Sequence, residues 1–377
     1  MKIIRSAYPS ITKSEIFYAN DAIKNGWGKN MNNYSEKFSK YFSKYIGKKY
    51  VLNTSHCTAA IHLALLSLNI KKGDEVIVPD FTWVASVSPI LYVGAKPVFA
   101  DIDPKTLCLS AQTIKKCITK KTKAVIVVDL YGNMPDWDEI LSLCKKNRIR
   151  IIEDAAESLG AKYKSRKAGK FGVISVFSFN ATKLVMSGQG GCLCTDDKNL
   201  FKKAKLYQHH GLNKKDSSKY YWSDILGYQY NWTNFQAAIA YAQMKRINSL
   251  IKKKKVIYEN YKKLIGNSND LILNESENHT ETTNWISYLN FSKRYNFKKE
   301  KLIKEVRKYR IDLRPIFYPL SSMPTFKKFV NKNKIKKMNS NSYEISKKGV
   351  CLPSGNDLSY KDQVYVIKII KKIISKL

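Results

Sequence analysis

The chain has 377 residues, 44% of them hydrophobic and 26% charged, enough apolar side chain for one large globular unit and a smaller one and too much for a disordered chain. Lys and Arg number 67 against 30 Asp and Glu, a formal net charge of +37, which excludes an acidic protein and raises nucleic acid or an anionic surface as partners. The lysines are spread along the chain, as in KNRIR at 146–150, KKKK at 252–255 and KNKIKK at 332–337, and no RNP-type aromatic motif or helix-turn-helix signature accompanies them. The charge therefore reads as the solvated faces of a lysine- and asparagine-rich chain, with no specific nucleic acid expected, although a positive field also attracts phosphorylated substrates.

The opening MKIIRSAYPS has no extended apolar h-region. No run reaches the ~18 apolar residues of a membrane span. The seven cysteines, at 57, 108, 117, 144, 192, 194 and 351, form no CxxC pair, so neither a metal site nor a disulfide framework is expected. A reducing, cytoplasmic setting without a membrane partner follows from these features.

From about 47 to 200 the chain alternates helix-like and strand-like segments. CTAAIHLALLSLNI (57–70) has apolar positions at helical spacing, whereas EVIVPD (75–80), KPVFADI (96–102), KAVIVVDLYG (123–132) and RIIEDA (150–155) are short and β-branched. TIKKCITK and DEILSLCKKN lie between strands and read as helices. This βαβα order predicts an α/β fold with a largely parallel sheet flanked by helices, and such sheets bind ligands outside the carboxyl ends of their strands. The runs VISVFSF (173–179) and CLCT (192–195) are strands, which places NATKLVMSGQGG (180–191) in the turn between them. A helical stretch at 233–265 leads to a smaller C-terminal α/β unit. There WISYLNF (285–291) reads as a strand, and KKEKLIKEVRKYR and the closing SYKDQVYVIKIIKKIISKL read as helices. Residues 1–249 are expected to form the N-terminal segment and large domain, and 250–377 the small one.

Four features converge on the carboxyl end of the predicted sheet. Asp154 follows a strand; alone it would read as a helix N-cap. Lys183 lies twenty-nine residues on, in the glycine-rich turn. HCTAA (56–60) leads into a helix whose N-terminus suits a phosphate. FTWVAS (81–86) puts Trp83 just after a strand. Together they supply what pyridoxal phosphate needs: an amine for its aldehyde, a carboxylate for its pyridine nitrogen, a flat side chain for its ring face, and N–H and hydroxyl donors for its phosphate.

The segments GDEVIVPDFTWVAS (73–86), VGAKPVFADIDP (93–104), IIEDAAESLGA (151–161), FSFNATKLVMSGQGG (177–191), LGYQYNWTNFQAAIAYAQ (226–243), LRPIFYPL (313–320) and CLPSG (351–355) resemble, in order and wording, the DegT/DnrJ/EryC1/StrS family of sugar aminotransferases, pyridoxal 5'-phosphate enzymes of fold type I. The resemblance covers nearly the whole chain. It implies that Lys183 is the Schiff-base lysine and proton shuttle, that Asp154 pairs with the pyridine nitrogen, and that Trp83 stacks on the ring. It further implies that Thr58, the backbone around Cys57, and Ser178 hold the phosphate, with Glu157 near the ring edge or the sugar and Gln229 reaching the phosphate of a partner subunit. Arg314, Tyr318 and Trp27 are expected on the substrate side, with Lys162 and Lys164 as further candidates along the path of a diphosphate.

Several positions depart from the family wording. Cys57 replaces a glycine, a strained exchange if the backbone there needs φ > 0. Gln189 replaces a glutamate, Gln229 an asparagine, Asn231 an arginine, and Ser321 a histidine. The resemblance implies a homodimer that takes an amino group from glutamate and places it on the 4-keto carbon of a nucleotide-linked 6-deoxy sugar, for surface glycan synthesis; the wording from EDAAESLG to LRPIFYPL is most similar to members that use a GDP-sugar. The alternatives are amination at C3, a UDP- or dTDP-linked sugar, or a catalytically silent binding protein on the same fold. A relative that removes a C3 hydroxyl typically has histidine in place of the lysine, so Lys183 speaks against that chemistry.

Overall fold

The computed structural model describes residues 3–212, 221–292 and 294–377. Its centre is a seven-stranded sheet in the order β1-β9-β8-β5-β4-β2-β3. The strands are β1 (Tyr50–Thr54), β2 (Glu75–Pro79), β3 (Lys96–Ala100), β4 (Thr122–Val128), β5 (Arg150–Asp154), β8 (Ile174–Ser178) and β9 (Gly191–Thr195); β6 (Lys162–Tyr163) and β7 (Arg166–Lys167) form a hairpin beside it. β2, β3, β4, β5 and β8 pair in parallel. β9 runs antiparallel to both β8 and β1, because the turn after β8 contains no helix to carry a crossover, and only a parallel neighbour requires one. The sheet is therefore mostly parallel, as its βαβ order predicts. Strand β1, YVLNT, carries no long apolar run that would mark it in the sequence.

Helix α1 (Lys13–Asn25) opens with a capping box: Thr12 Oγ1 accepts the N–H of Ser14, and Glu15 Oε2 accepts the N–H of Thr12 at 2.7 Å. Glu15 is also bonded by Arg246 Nε at 2.7 Å. Arg246 sits where the helical stretch read as continuous over 233–265 breaks into two helices, Asn234–Lys245 and Ile247–Ile265, with its φ at −117°. Helices α1 and α2 (Asn33–Ile46) pack on the first of these. Helix α3 (Cys57–Ser67) is apolar on nearly every side and mostly buried, as a helix enclosed between sheet and outer helices must be.

A second apolar core gathers Ile257, Tyr261, Leu289, Leu302, Val306, Val366 and Ile370. It underlies a four-stranded sheet in the order β10-β12-β14-β13, built from β10 (Leu271–Leu273), β12 (Tyr288–Phe291), β13 (Arg314–Pro315) and β14 (Val350–Cys351). Ile4 pairs with Ile311, so the N-terminal segment joins this unit. Two features tie the units together. Strand β11 (Thr280–Glu281) pairs with β6. Residues 316–343 return to the large sheet, where the buried carboxylates Asp80 and Asp101, at the ends of β2 and β3, accept bonds from Ser321, Asn339 and Ser342.

Candidate active site

A cavity of about 580 Å³ opens at the carboxyl ends of β4, β5 and β8, within the size range of small-molecule sites. Asp154, the last residue of β5, lines it. A central strand buried on both faces carries this carboxylate into the interior, and Asp154 is only 3% exposed. Ser86 donates its hydroxyl to Oδ2 at 2.7 Å, and Ala156 donates its N–H to Oδ1 at 3.2 Å. Burial pushes the Asp154 carboxyl above the usual carboxylate range, opposed by those two bonds and by the nearby Lys183 amine. No helix begins at Asp154, so the capping role that its position in the sequence also allowed is not what holds it.

Lys183 stands in the turn between β8 and β9, where the backbone N–H of Lys183 bonds Asn180 O at 2.9 Å and that of Ala181 bonds Gly188 O at 2.9 Å. The turn packs closely against the start of α3: a Cβ on Gly191 would lie 2.5 Å from the amide nitrogen of Cys57. Cys57 is the first residue of α3 and is absent from the positive-φ residues, so its replacement of glycine carries no backbone strain. The N-terminus of α3 has no side-chain cap. Its N–H groups, the Thr58 hydroxyl and Ser178 all border the cavity, a donor set suited to a phosphate.

Cys57, Thr58, Trp83, Asp154, Glu157, Ser178, Lys183, Arg314 and Tyr318 all line this one cavity. Trp83 is 59% exposed and its ring lies 6.2 Å from that of Phe317. Glu157 is buried and its Oε1 lies 3.1 Å from Lys183 Nζ. Gln229 and Trp27 do not line the cavity of this chain. Gln229 bonds Asn231 at 3.0 Å, and Trp27 is exposed with its Nε1 donating to Ile23 O at 2.6 Å. Lys162 and Lys164 also lie elsewhere, around the β6–β7 hairpin, paired with Glu281 at 3.1 Å and Asp138 at 2.6 Å.

Sequence reasoning missed Ser86, Phe317, Met323, Cys351 and above all Trp285. The Trp285 ring centroid is 3.9 Å from Lys183 Nζ. In the sequence only its place in an apolar run is legible, and that run predicts a strand from 285 on. The strand begins at Tyr288 instead, after Asn284 turns the chain with φ 49°.

The sequence profile of the DegT/DnrJ/EryC1/StrS aminotransferase family matches residues 9–371. The chain belongs to this family. Among curated relatives of this aminotransferase, GDP-perosamine synthase of Escherichia coli O157:H7 is 37% identical over 375 residues, covering 100% of both chains. GDP-perosamine synthase of Vibrio cholerae is 35% identical over 92% of each. Among solved structures, the PLP form of the putative sugar aminotransferase Spr1654 from Streptococcus pneumoniae superposes with a TM-score of 0.91 at 25% identity, covering 99% of both chains. Among the described residues of the aminotransferase, no helix is long and apolar enough to cross a membrane.

Proposed function

We propose that this aminotransferase moves the amino group of glutamate to the 4-keto carbon of a GDP-linked 6-deoxy sugar, with pyridoxal 5'-phosphate as cofactor. Lys183 and Asp154 meeting in one cavity beside an uncapped helix N-terminus carries the reading. The identity to two GDP-perosamine synthases supports the sugar and its nucleotide.

The residues present fit the cofactor. A buried carboxylate whose charge is costly in this chain alone suits a cationic ring nitrogen. The α3 N–H groups with Thr58 and Ser178 suit the phosphate, and the Trp83 indole suits a ring face. When bound, pyridoxal phosphate supplies an aldehyde carbon that accepts nitrogen and a ring that withdraws electrons from the neighbouring carbon. The chain's own part is positional. Asp154 would keep the ring nitrogen charged, and the Lys183 amine would carry a proton to and from the substrate carbon. Such a transfer contributes about 10²–10⁴-fold when the donor is well placed. Arg314 and Tyr318, on the wall formed by residues 314–318, would face the sugar nucleotide. Nitrogen and charge balance in the exchange: glutamate leaves as 2-oxoglutarate, and the sugar carbonyl becomes an amine.

The same reading includes a homodimer. Ile16, Phe17, Ile23, Trp27 and Met31 on and after α1 are each more than half exposed, an apolar stripe that a second copy would cover. Gln229 would then serve the partner's cavity.

Incubation with glutamate and a panel of GDP-, UDP- and dTDP-linked 4-keto and 3-keto 6-deoxy sugars tests the assignment, with 2-oxoglutarate and the amino sugar measured by mass. Amination of the GDP-linked 4-keto sugar is expected. Turnover confined to 3-keto sugars, or to another nucleotide, refutes it.

A further inference from the structure

The amine of Lys183 is enclosed from two sides. Glu157 Oε1 accepts from Nζ at 3.1 Å, and the face of the Trp285 indole lies 3.9 Å from the same atom. Neither wall is free to drift. The Trp285 Nε1–H donates to the carbonyl of Thr182 at 2.9 Å, so the indole is fastened to the residue preceding the lysine that it covers. Glu157 uses its second oxygen, Oε2, to accept the N–H of Tyr131 at 2.9 Å.

One turn braces both walls. Tyr131 adopts φ 55°, and its ring lies parallel to that of Phe317 at 5.4 Å. Its neighbour Gly132 has φ 90°; a Cβ there would lie 2.8 Å from Thr283 Oγ1 and 3.0 Å from the backbone nitrogen of Trp285. A bulky residue at 131 in the left-handed region is held only where surrounding contacts over-determine it. The Tyr131–Gly132 turn thus holds Glu157 on one side and receives the Trp285 segment on the other.

We propose that Trp285 is a positioning residue which, with Glu157, forms a cation socket that holds the Lys183 amine whenever it is not bonded to carbon. The inference rests on the reading of Lys183 as the lysine that bonds and releases the cofactor. That chemistry frees the amine in each half of the exchange, on a long stem with many rotamers. Proton transfer then depends on finding it in one place. A carboxylate and an indole face hold the amine at that place and leave Asp154 to the ring nitrogen. A desolvated cation over an indole face is worth about 2–30-fold in occupancy.

The test uses cofactor-free protein, so that it is independent of turnover. Lys183 acetylation by limiting acetic anhydride is measured by peptide mass spectrometry, with the exposed Lys255 as internal reference. Trp285→Leu, which keeps bulk without a π face, and Glu157→Gln are each expected to raise the Lys183 rate by about threefold or more. Trp285→Phe, which keeps a ring face, is expected to stay within about twofold of wild type. Equal rates in the Leu and Phe variants, or a Leu variant at the wild-type rate, overturn the socket. If Trp285→Leu does not fold, the indole N–H resonance of Trp285 decides, assigned by its loss in Trp285→Phe. It shifts on Lys183→Met if the amine sits over the ring, and an unmoved resonance overturns the proposal. Cofactor uptake by the wild type, read from visible absorbance, is a separate measurement, so a failed functional reading is distinguishable from a failed socket.

Discussion

Ser86 donates its hydroxyl to Oδ2 of Asp154 at 2.7 Å, which locks the turn that presents Trp83 to the end of β5. The bond lowers the cost of a buried carboxylate without removing it. Asp154→Asn is therefore expected to leave the melting temperature of the cofactor-free protein unchanged or raised. Turnover should fall by about 10²-fold or more, because a neutral amide bond is roughly half as strong as a charge-assisted one and cannot keep a ring nitrogen charged. Differential scanning fluorimetry and steady-state rates check both halves, and a variant with wild-type turnover would reduce Asp154 to a structural role.

Lys183→Ala should lose roughly 10³-fold or more in turnover, the upper range for removing a positioned proton carrier. It should also release its cofactor on gel filtration, whereas borohydride should fix the cofactor to wild-type protein at Lys183. The variant should still fold, with some loss of stability, since the buried Glu157 then lacks the amine that it faces. Near-normal rates in the variant would end the assignment.

Ser321 stands where the family wording has histidine, and its role here is visible. Its hydroxyl and N–H both bond Asp80, at 2.6 and 2.7 Å, in a buried setting. Burial raises the Asp80 carboxyl, and these bonds oppose that shift. Ser321→Ala leaves an acceptor short of a donor, which costs about 1–3 kcal/mol. Urea denaturation monitored by circular dichroism should show the loss, and Ser321→Asn, which restores a donor, should recover part of it.

Lys254 is buried and donates to the carbonyl of Ser354. Burial pulls its amine down to about 7 from the ordinary 10.5, with Asp357 opposing. Between those two values the unfolded chain binds a proton that the folded chain does not, so stability rises with pH across this window, by at most about 1.4 kcal/mol per unit. Below about 7 the folded amine is charged as well, and the dependence flattens. Lys254→Met removes the buried ammonium. Its stability relative to wild type should be greatest near pH 7 and should shrink towards pH 9; a difference constant with pH would contradict the assignment.

The surplus of positive charge should give only weak DNA binding without sequence preference, falling steeply between 50 and 200 mM salt as phosphate-bound counterions are no longer released to advantage, on the order of a tenfold loss or more. Fluorescence anisotropy on two unrelated duplexes measures it. Tight binding to one duplex at the higher salt would revive a nucleic-acid role.

Much of the large sheet was legible because its strands are short β-branched runs between helical ones, and the turn carrying Lys183 because glycines flank it. What escaped depends on contacts distant in sequence. Residues 316–343 look like ordinary polar loop and short helix, yet Asp80 and Asp101 draw them onto the sheet edge. Trp285 lies 102 positions from the lysine it covers, and nothing local marks its orientation; the Nε1 bond to Thr182 does. Gln229 and Trp27 do not line this chain's cavity, and no spacing rule marks which surface residues a second copy would cover. The break at Arg246 was hidden by unbroken helical composition, because the partner that anchors it, Glu15, comes from the far end of the chain.

The break at Arg246 also divides the lining of the cavity. Lys183, Asp154, Thr58 and Ser178 precede it, while Trp285, Arg314, Phe317 and Tyr318 follow it. On the proposed reading, the proton carrier and the wall at 314–318 lie on two consecutive lengths of chain. A recombinant joined at Arg246 to a relative with another sugar preference should exchange the wall at 314–318 in a single crossover, and sugar preference should move with it on the proposed reading. It has to keep Thr283 and Trp285 fitted against Gly132, where the two lengths meet without room for a methyl group.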